Sequence, residues 1–310
     1  MYISQLLSLS FANKKLTDFL HKKDSEKYSN IAAGKTLKAV FEILPGDVDA
    51  HKCILVCEIS NDGFSYAIKN DDENMYIAVA VFHFDKSTTV DYSITLQNEI
   101  QRQALLSGNF KKVYIMYSLG ESILIPFSLY NSEENANALN LVHGDLQSNL
   151  SVLTDIIEKN KIYNCYRVST DVVNIIKSKF PDAINRHQYS VLLNNATLET
   201  GKLFIIFYPK KIVLMLIKND NLQFINSFSY NTAEDVSYIL LNTCKQFEVD
   251  NIPLEISGLI DENSALFKEI HKYFGSVNFA QLPAGSGYSE EITKQPSHYF
   301  SQIFAVDSCG

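Results

Sequence analysis

The sequence predicts an α/β protein with mixed sheets, built from two consecutive copies of one pattern: strand, strand, strand, helix, strand. Three observations predict it. The tetrapeptide Ile-Lys-Asn-Asp occurs at 68–71 and again at 217–220. Each occurrence closes the second of three strand-like runs, and each set of runs leads into an amphipathic helix and a further apolar run. At 310 residues the chain is long enough for about two domains. A four-residue identity alone decides little, because on the order of one such match arises by chance in a chain of this length. Its equal place in both patterns is what points to duplication.

The first copy opens with "KCILVCEIS", a β-rich run, followed by the turn signal "NDG" and the alternating strand "FSYAIKN". "DDEN" makes another turn before the strand "MYIAVAVFHF". The segment "TTVDYSITLQNEIQRQALLSG" reads as a helix, with Thr or Asp available as N-cap and Gly108 just past its end. "KVYIMYSL" is a short buried-type strand. The second copy repeats the order with strands "KLFIIFY", "IVLMLIKN" and "LQFINSFSY". Its helix, "TAEDVSYILLNTCKQF", opens with a Thr-x-x-Asp capping pair, and "PLEISGLI" is the fourth strand with its exit turn.

Between the copies, "ESILIPFSLYN" reads as a strand and turn, "SEENANALNLVHGDL" as a helix and "NKIYNCYRVS" as a strand. "TDVVNIIKSKFP" is a helix stopped by Pro181, and "INRHQYSVLLN" is a strand or a strand leading into a helix. The segment "TLETGK" marks the domain boundary. Residues 1–47 read as an N-terminal extension, helical because Ile3, Leu6, Leu7, Leu16, Phe19 and Leu20 recur at helical spacing. Residues 48–195 then form the first domain, with an insertion near 130–160, and 196–310 the second domain plus a C-terminal tail.

Bulk properties exclude several classes. Hydrophobic residues make up 46% of the chain and charged residues 20%, values of a folded rather than a disordered protein. The formal net charge of −8 argues against a nucleic-acid partner, which requires a basic surface to displace phosphate counterions. The five cysteines (Cys53, Cys57, Cys165, Cys244 and Cys309) are odd in number and include no Cys-x-x-Cys, which fits a reducing compartment. No apolar run approaches transmembrane length, and the N-terminus is apolar before it is basic, the reverse of a signal peptide. The expectation is a cytoplasmic protein without a transmembrane segment.

Three antiparallel strands, a crossover helix and a parallel fourth strand resemble the ribonuclease-H-like core. Two such domains in tandem resemble the actin-like ATPase fold. The segment "YNCYRVSTDVVNIIKSKFPDAINRHQYSVLL" is similar to part of the actin-like cytoplasmic component of type IV pilus machines. From about residue 50 onward the chain resembles a Bacteroidetes family of proteins of unknown function. The features that carry this are "SILIPFSLYN", "FPDAINRHQYSVLLN", "FINSFSYNTAEDVSYILL", "LEISGLIDENSALF" and "HYFSQIFAVDSCG". The resemblance implies the fold and supplies no activity.

It also implies where ATP chemistry would sit. The first hairpin of each domain in that fold reads Asp-x-Gly-(Ser/Thr), with a glycine that lets backbone N–H groups approach phosphates and an aspartate that organises magnesium. In "CEISNDGFS", Glu58 stands at the aspartate position and Ser60 at the glycine position, while Asp62-Gly63 follows as a turn pair. In "IFYPKKIV", Phe207 and Pro209 stand at those positions; Phe binds no magnesium and Pro has no N–H. Lys210 and Lys211 could attract an anion but read as solvated. The two adjacent glycines expected after the fourth strand of domain two are Gly258 and Leu259, so one is kept. Glu58, Asp62, Gly63 and Gly258 are therefore the candidate residual nucleotide site. No cofactor is expected from them, with ATP and magnesium as the alternative.

Other motifs carry less. "SNIAAGKT" ends like a phosphate-binding loop, but Ser29 stands where its first glycine belongs and no strand precedes it. His51, Cys53 and Cys57 would share one strand face, but the two cysteines would lie roughly 13 Å apart, too far to share a metal. "AGSGYS" lacks the nucleophile-elbow spacing. Glu133-Glu134 and Glu290-Glu291 read as solvated charges, and His143 and His187 as structural. The sequence thus predicts a non-catalytic actin-like scaffold for an unidentified protein partner. The rival is an ATP-binding protein or ATP-dependent phosphotransferase with an unusual site in the interdomain cleft.

Overall fold

The computed structural model describes residues 39–84, 91–145, 149–196 and 201–309. They fall into two compact units. The first comprises the described residues up to Asn195, Pro283–Gln295 and the chain from Ile303 onward. The second comprises Ala196–Leu282 and Pro296–Gln302. Part of the tail expected with the second domain therefore belongs to the first unit.

The first unit is built on a sheet of β1 (Ala39–Ile43), β2 (Cys53–Ser60), β3 (Gly63–Asn70), β4 (Met75–His83), β5 (Lys112–Ser118) and β9 (Ile184–His187). Their order is β1-β4-β3-β2-β5-β9, and the short β15 (Gly287–Tyr288) also pairs with β4. Strands β2, β3 and β4 are antiparallel, whereas β5 runs parallel to β2 and β9 parallel to β5. Helix α1 (Tyr92–Arg102) connects β4 to β5, and its Asp91 cap accepts a hydrogen bond from the Ser93 N–H. Leu96 and Ile100 of α1 pack on Cys57, Tyr66, Ile68 and Ile115. A second, three-stranded sheet has the order β6-β8-β7, from β6 (Ser122–Pro126), β7 (Leu150–Ile157) and β8 (Ile162–Ser169), with α2 (Asn135–His143) between β6 and β7. Helices α3 (Thr170–Lys179) and α4 (Gln188–Asn195) complete the unit's helices before Asn195. The former stops at Phe180, ahead of Pro181.

The second unit has the order β12-β11-β10-β13-β14, from β10 (Lys202–Phe207), β11 (Lys211–Lys218), β12 (Asn221–Ser229), β13 (Leu254–Gly258) and β14 (Val277–Phe279). Strand directions repeat those of the first sheet: three antiparallel strands, then β13 and β14 parallel to β10. Helix α5 (Ala233–Gln246) carries the capping box of Thr232 and Asp235. Helix α6 (Ala265–His271) is capped by Ser264, whose hydroxyl accepts from the Phe267 N–H.

The repeated tetrapeptide ends β3 in one sheet and β11 in the other, equivalent strands, but the turns differ. Asn219 and Asp220 have φ of 51° and 59°, forming the two-residue turn that matches strand twist. After β3 the chain makes a longer turn in which only Asn74, at φ 50°, is left-handed. Lys218 donates to the carbonyls of Phe247 and Glu248 beyond α5. Lys69 instead lies 2.7 Å from Asp307 in the tail, both side chains 9% exposed. The Tyr76 hydroxyl lies 2.7 Å from the other Asp307 oxygen and 3.0 Å from the Phe304 carbonyl, and its ring packs on Phe304 and Tyr288. Burial, then Asp307, push the Tyr76 phenol up, so it stays a donor. The tail thus completes the face of the first sheet opposite α1.

Two expectations need correction here. Ala39–Ile43, inside the extension read as helical, is a strand, because its alternating burial suits the edge of β4. The rest of that segment up to residue 38, with its Gly34-Lys35-Thr36, lies outside the described residues. His51 is not on a strand face; it sits in a short 3₁₀ turn, Ala50–Lys52, ahead of β2.

A buried charge left without its partner is strongly destabilising. Asp307→Ala is expected to lower unfolding free energy by about 3 kcal/mol in urea titrations. Adding Lys69→Met should recover most of the loss, because an apolar replacement removes the orphaned charge.

Candidate functional site

Glu58, Asp62 and Gly63 belong to the β2–β3 hairpin of the first unit, and Gly258 belongs to the second unit. Strand β2 is buried along its whole length, and Glu58 is 4% exposed. Its Oε1 accepts a 2.6 Å hydrogen bond from Ser118 Oγ at the end of β5. The turn itself is Asn61-Asp62, and Gly63 already pairs with Ser60. The Asp62 N–H lies 3.3 Å from Ser60 Oγ, the Asp62 carbonyl accepts from the Phe84 N–H, and the Ser60 carbonyl accepts from the Tyr92 hydroxyl. Asp62-Gly63 is therefore not the turn pair its sequence implies. Gly63 is needed because a Cβ there would sit 2.3 Å from the Phe82 carbonyl of β4.

The equivalent hairpin of the second unit is closed on itself. The Tyr208 N–H donates to the Lys211 carbonyl, the Tyr230 N–H to the Lys210 carbonyl, and the Tyr230 hydroxyl to the Tyr208 carbonyl. The Lys211 ammonium lies 4.5 Å from the Tyr208 ring centre. Pro209 contributes no N–H.

Gly258 ends β13 with φ +86°, and a Cβ there would lie 2.2 Å from the Phe207 carbonyl. Only glycine satisfies both conditions. The Gly258 N–H donates to the His298 carbonyl at 2.8 Å, and the Leu259 N–H to the Phe207 carbonyl at 3.0 Å. Ser257 Oγ lies 2.7 Å from Ser301 Oγ and 3.2 Å from the His298 carbonyl. The His298 ring stacks on Phe279, with 4.1 Å between centres, and its Nε2 contacts the Ile260 carbonyl at 2.8 Å. Burial lowers the His298 pKa, which leaves a neutral ring donating from Nε2. The segment from Pro296 to Gln302 thus covers the carboxyl end of β13. Sequence reading missed this, because the group that does the covering is a backbone carbonyl.

These three places do not fit a nucleoside triphosphate with its magnesium. The first hairpin offers a buried, hydrogen-bonded glutamate, the second a phenylalanine and a proline, and the strand end amides already engaged. Among the described residues, no three His, Cys, Asp or Glu side chains group as a metal site.

His143 and His187 have structural partners, and Asp155 holds the His187 backbone. Asp155 is 4% exposed and accepts from the His187 N–H at 2.6 Å and the Tyr166 hydroxyl at 3.2 Å. Burial raises its pKa against these bonds. His187 receives the Tyr189 N–H at Nδ1, so Nε2 carries the proton toward the Leu119 carbonyl. His143 lies 3.2 Å from the Ser122 carbonyl, and burial lowers its pKa. Cys53 and Cys57 are buried free thiols.

The mixed sheets with this strand order define an actin-like ATPase fold. A Bacteroides thetaiotaomicron protein described as having that fold and unknown function superposes with a TM-score of 0.71 at 21% identity, over 86% of this chain and 100% of that one. A chain of the PilM–PilN type IV pilus biogenesis complex superposes with a TM-score of 0.57 at 11% identity, over 82% of this chain and 97% of that one. The chain belongs to the family described as Protein of unknown function (DUF3822), which matches residues 47–277. No curated protein matches it. Among the described residues no helix is long and apolar enough to cross a membrane.

Gly258→Ala should cost more than about 2 kcal/mol, read from the urea midpoint, because it meets both strain and a backbone clash. Stability should also depend on pH through His298. Its folded pKa is lowered, so the unfolded chain binds the proton first, and stability falls as pH drops below about 6.5 toward the folded value. His143 acts in the same direction. A thermal melt series from about pH 7 to 5 should show a shallower decline in His298→Gln, which has no titrating ring.

Proposed function

We propose that this chain is a non-catalytic actin-like protein, two tandem ribonuclease-H-like domains kept as an interaction scaffold. The observation that carries the reading is the engagement of the Gly258 and Leu259 N–H groups by the His298 and Phe207 carbonyls. Phosphoryl transfer depends on joint positioning and charge stabilisation, so loss at several places together removes it. The buried Glu58–Ser118 bond and the self-closed Tyr208–Lys211 hairpin support the same reading. A fold neighbour taken from a complex of PilM with PilN supports a protein rather than a small-molecule partner. Free thiols at Cys53, Cys57, Cys165 and Cys244 support a reducing, cytoplasmic setting.

Calorimetric titration with MgATP to about 1 mM is expected to give no saturable heat, and incubation no phosphate release above buffer. Turnover that Glu58→Ala abolishes would overturn the proposal in favour of a phosphotransferase.

A further inference from the structure

Strand β7 is an edge of the three-stranded sheet, and β8 is its only strand partner among the described residues. No other backbone-to-backbone hydrogen bond joins residues 150–157 to the described chain. Long, flat, uncharged edges are templates for pairing, and proteins blunt them with proline, bulges, charges or brevity. The other edges carry such devices. Strand β6 ends in Pro126, the β1–β4 pairing shifts between Ala39 and Phe41, and β9 and β14 span four and three residues. The β11–β12 ladder shifts between Leu216 and Ile217, and Asn226 and Ser227 of β12 are engaged. Strand β7 pairs with β8 over eight residues without a shift.

The side chains of β7 sort by face. Leu153, Asp155 and Ile157 share one face, where the strand's single charge is buried against Tyr166 and His187. Leu150, Val152, Thr154 and Ile156 share the other, where the Thr154 hydroxyl accepts from Asn135 of α2 and Ile156 is 50% exposed. This row has no charge. An antiparallel pairing centred on Leu153 would set Leu150 against Ile156, and Val152 against Thr154, twice over. Both pairs match apolar or β-branched side chains across strands, and no like charges oppose.

We propose that β7 pairs with β7 of a second copy of this chain about a two-fold axis at Leu153, making a continuous six-stranded sheet. The interface is isologous, so each substitution acts twice.

Sedimentation equilibrium of the full chain at about 100 µM is expected to give twice the 35.0 kDa chain mass, dissociating on dilution. Leu150→Lys and Ile156→Glu should each weaken the dimer by about tenfold or more. The double variant should restore it, because the register sets the introduced lysine of one copy beside the introduced glutamate of the other at both ends. A single 35.0 kDa species in the unaltered protein, or a dimer that neither substitution weakens, overturns the proposal. Failure of the double variant to recover while both single variants stay folded by circular dichroism overturns the register. Hydrogen exchange of 150–157 in the unaltered protein is independent of any variant. Slower exchange at higher concentration is expected, and concentration-independent exchange overturns the pairing.

Discussion

The end of β13 depends on how near the Gly258 backbone runs to Phe207, where a Cβ would lie 2.2 Å from the Phe207 carbonyl. Strands β10 and β13 lie side by side and parallel, and the chain leaves β10 in one direction along the sheet and returns on the other side through β13. In open α/β sheets that switch of direction opens a crevice at the strands' carboxyl ends, where ligands bind. Here a left-handed glycine brings the end of β13 against the Phe207 backbone, and its next N–H turns onto the Phe207 carbonyl. A tail carbonyl takes the remaining donor. The carboxyl end of β13 is tied into internal packing, with Ser257 bonded to Ser301 and to the His298 carbonyl.

The first unit treats its equivalent position in another way. Strand β2 places Glu58 where the sheet is already covered, and a serine of β5 satisfies it. A buried carboxylate needs such a donor or its burial is costly. The two units share strand order while their polar groups have found different partners. The tetrapeptide 68–71 and its counterpart 217–220 show this most directly: one lysine holds an acid of the tail, the other the carbonyls past a helix. Common topology has preserved the positions of backbone segments without preserving what their side chains do.

Much of the fold was legible because its signals are local. Alternation marked β3, β-rich apolar runs marked β2, β4 and β10 to β12, and the Thr232–Asp235 box marked the start of α5. Strand β7 went unread because Asp155, an apparent outward residue, points inward to a backbone N–H and a tyrosine. Strand β1 was absorbed into an apolar extension read at helical period. Of the candidate site, the loss of Phe207 and Pro209 was plain from residue type. What closes the site was not, since the His298 carbonyl carries no sequence signature and comes from 40 residues downstream of Gly258. Glycines misled for a related reason. Gly63 looked like turn chemistry, but the carbonyl that requires it lies on a neighbouring strand.

The tail's return to the first sheet has a consequence for how the chain is made. Lys69 and Asp307 are 238 residues apart, and Tyr76 waits for Phe304 from almost as far. Ribosomes add roughly 5–20 residues per second, so Lys69 and Tyr76 lack these partners for on the order of ten seconds or more after their strands emerge. The strands of the first sheet are made before those of the second, and their tail partners after them.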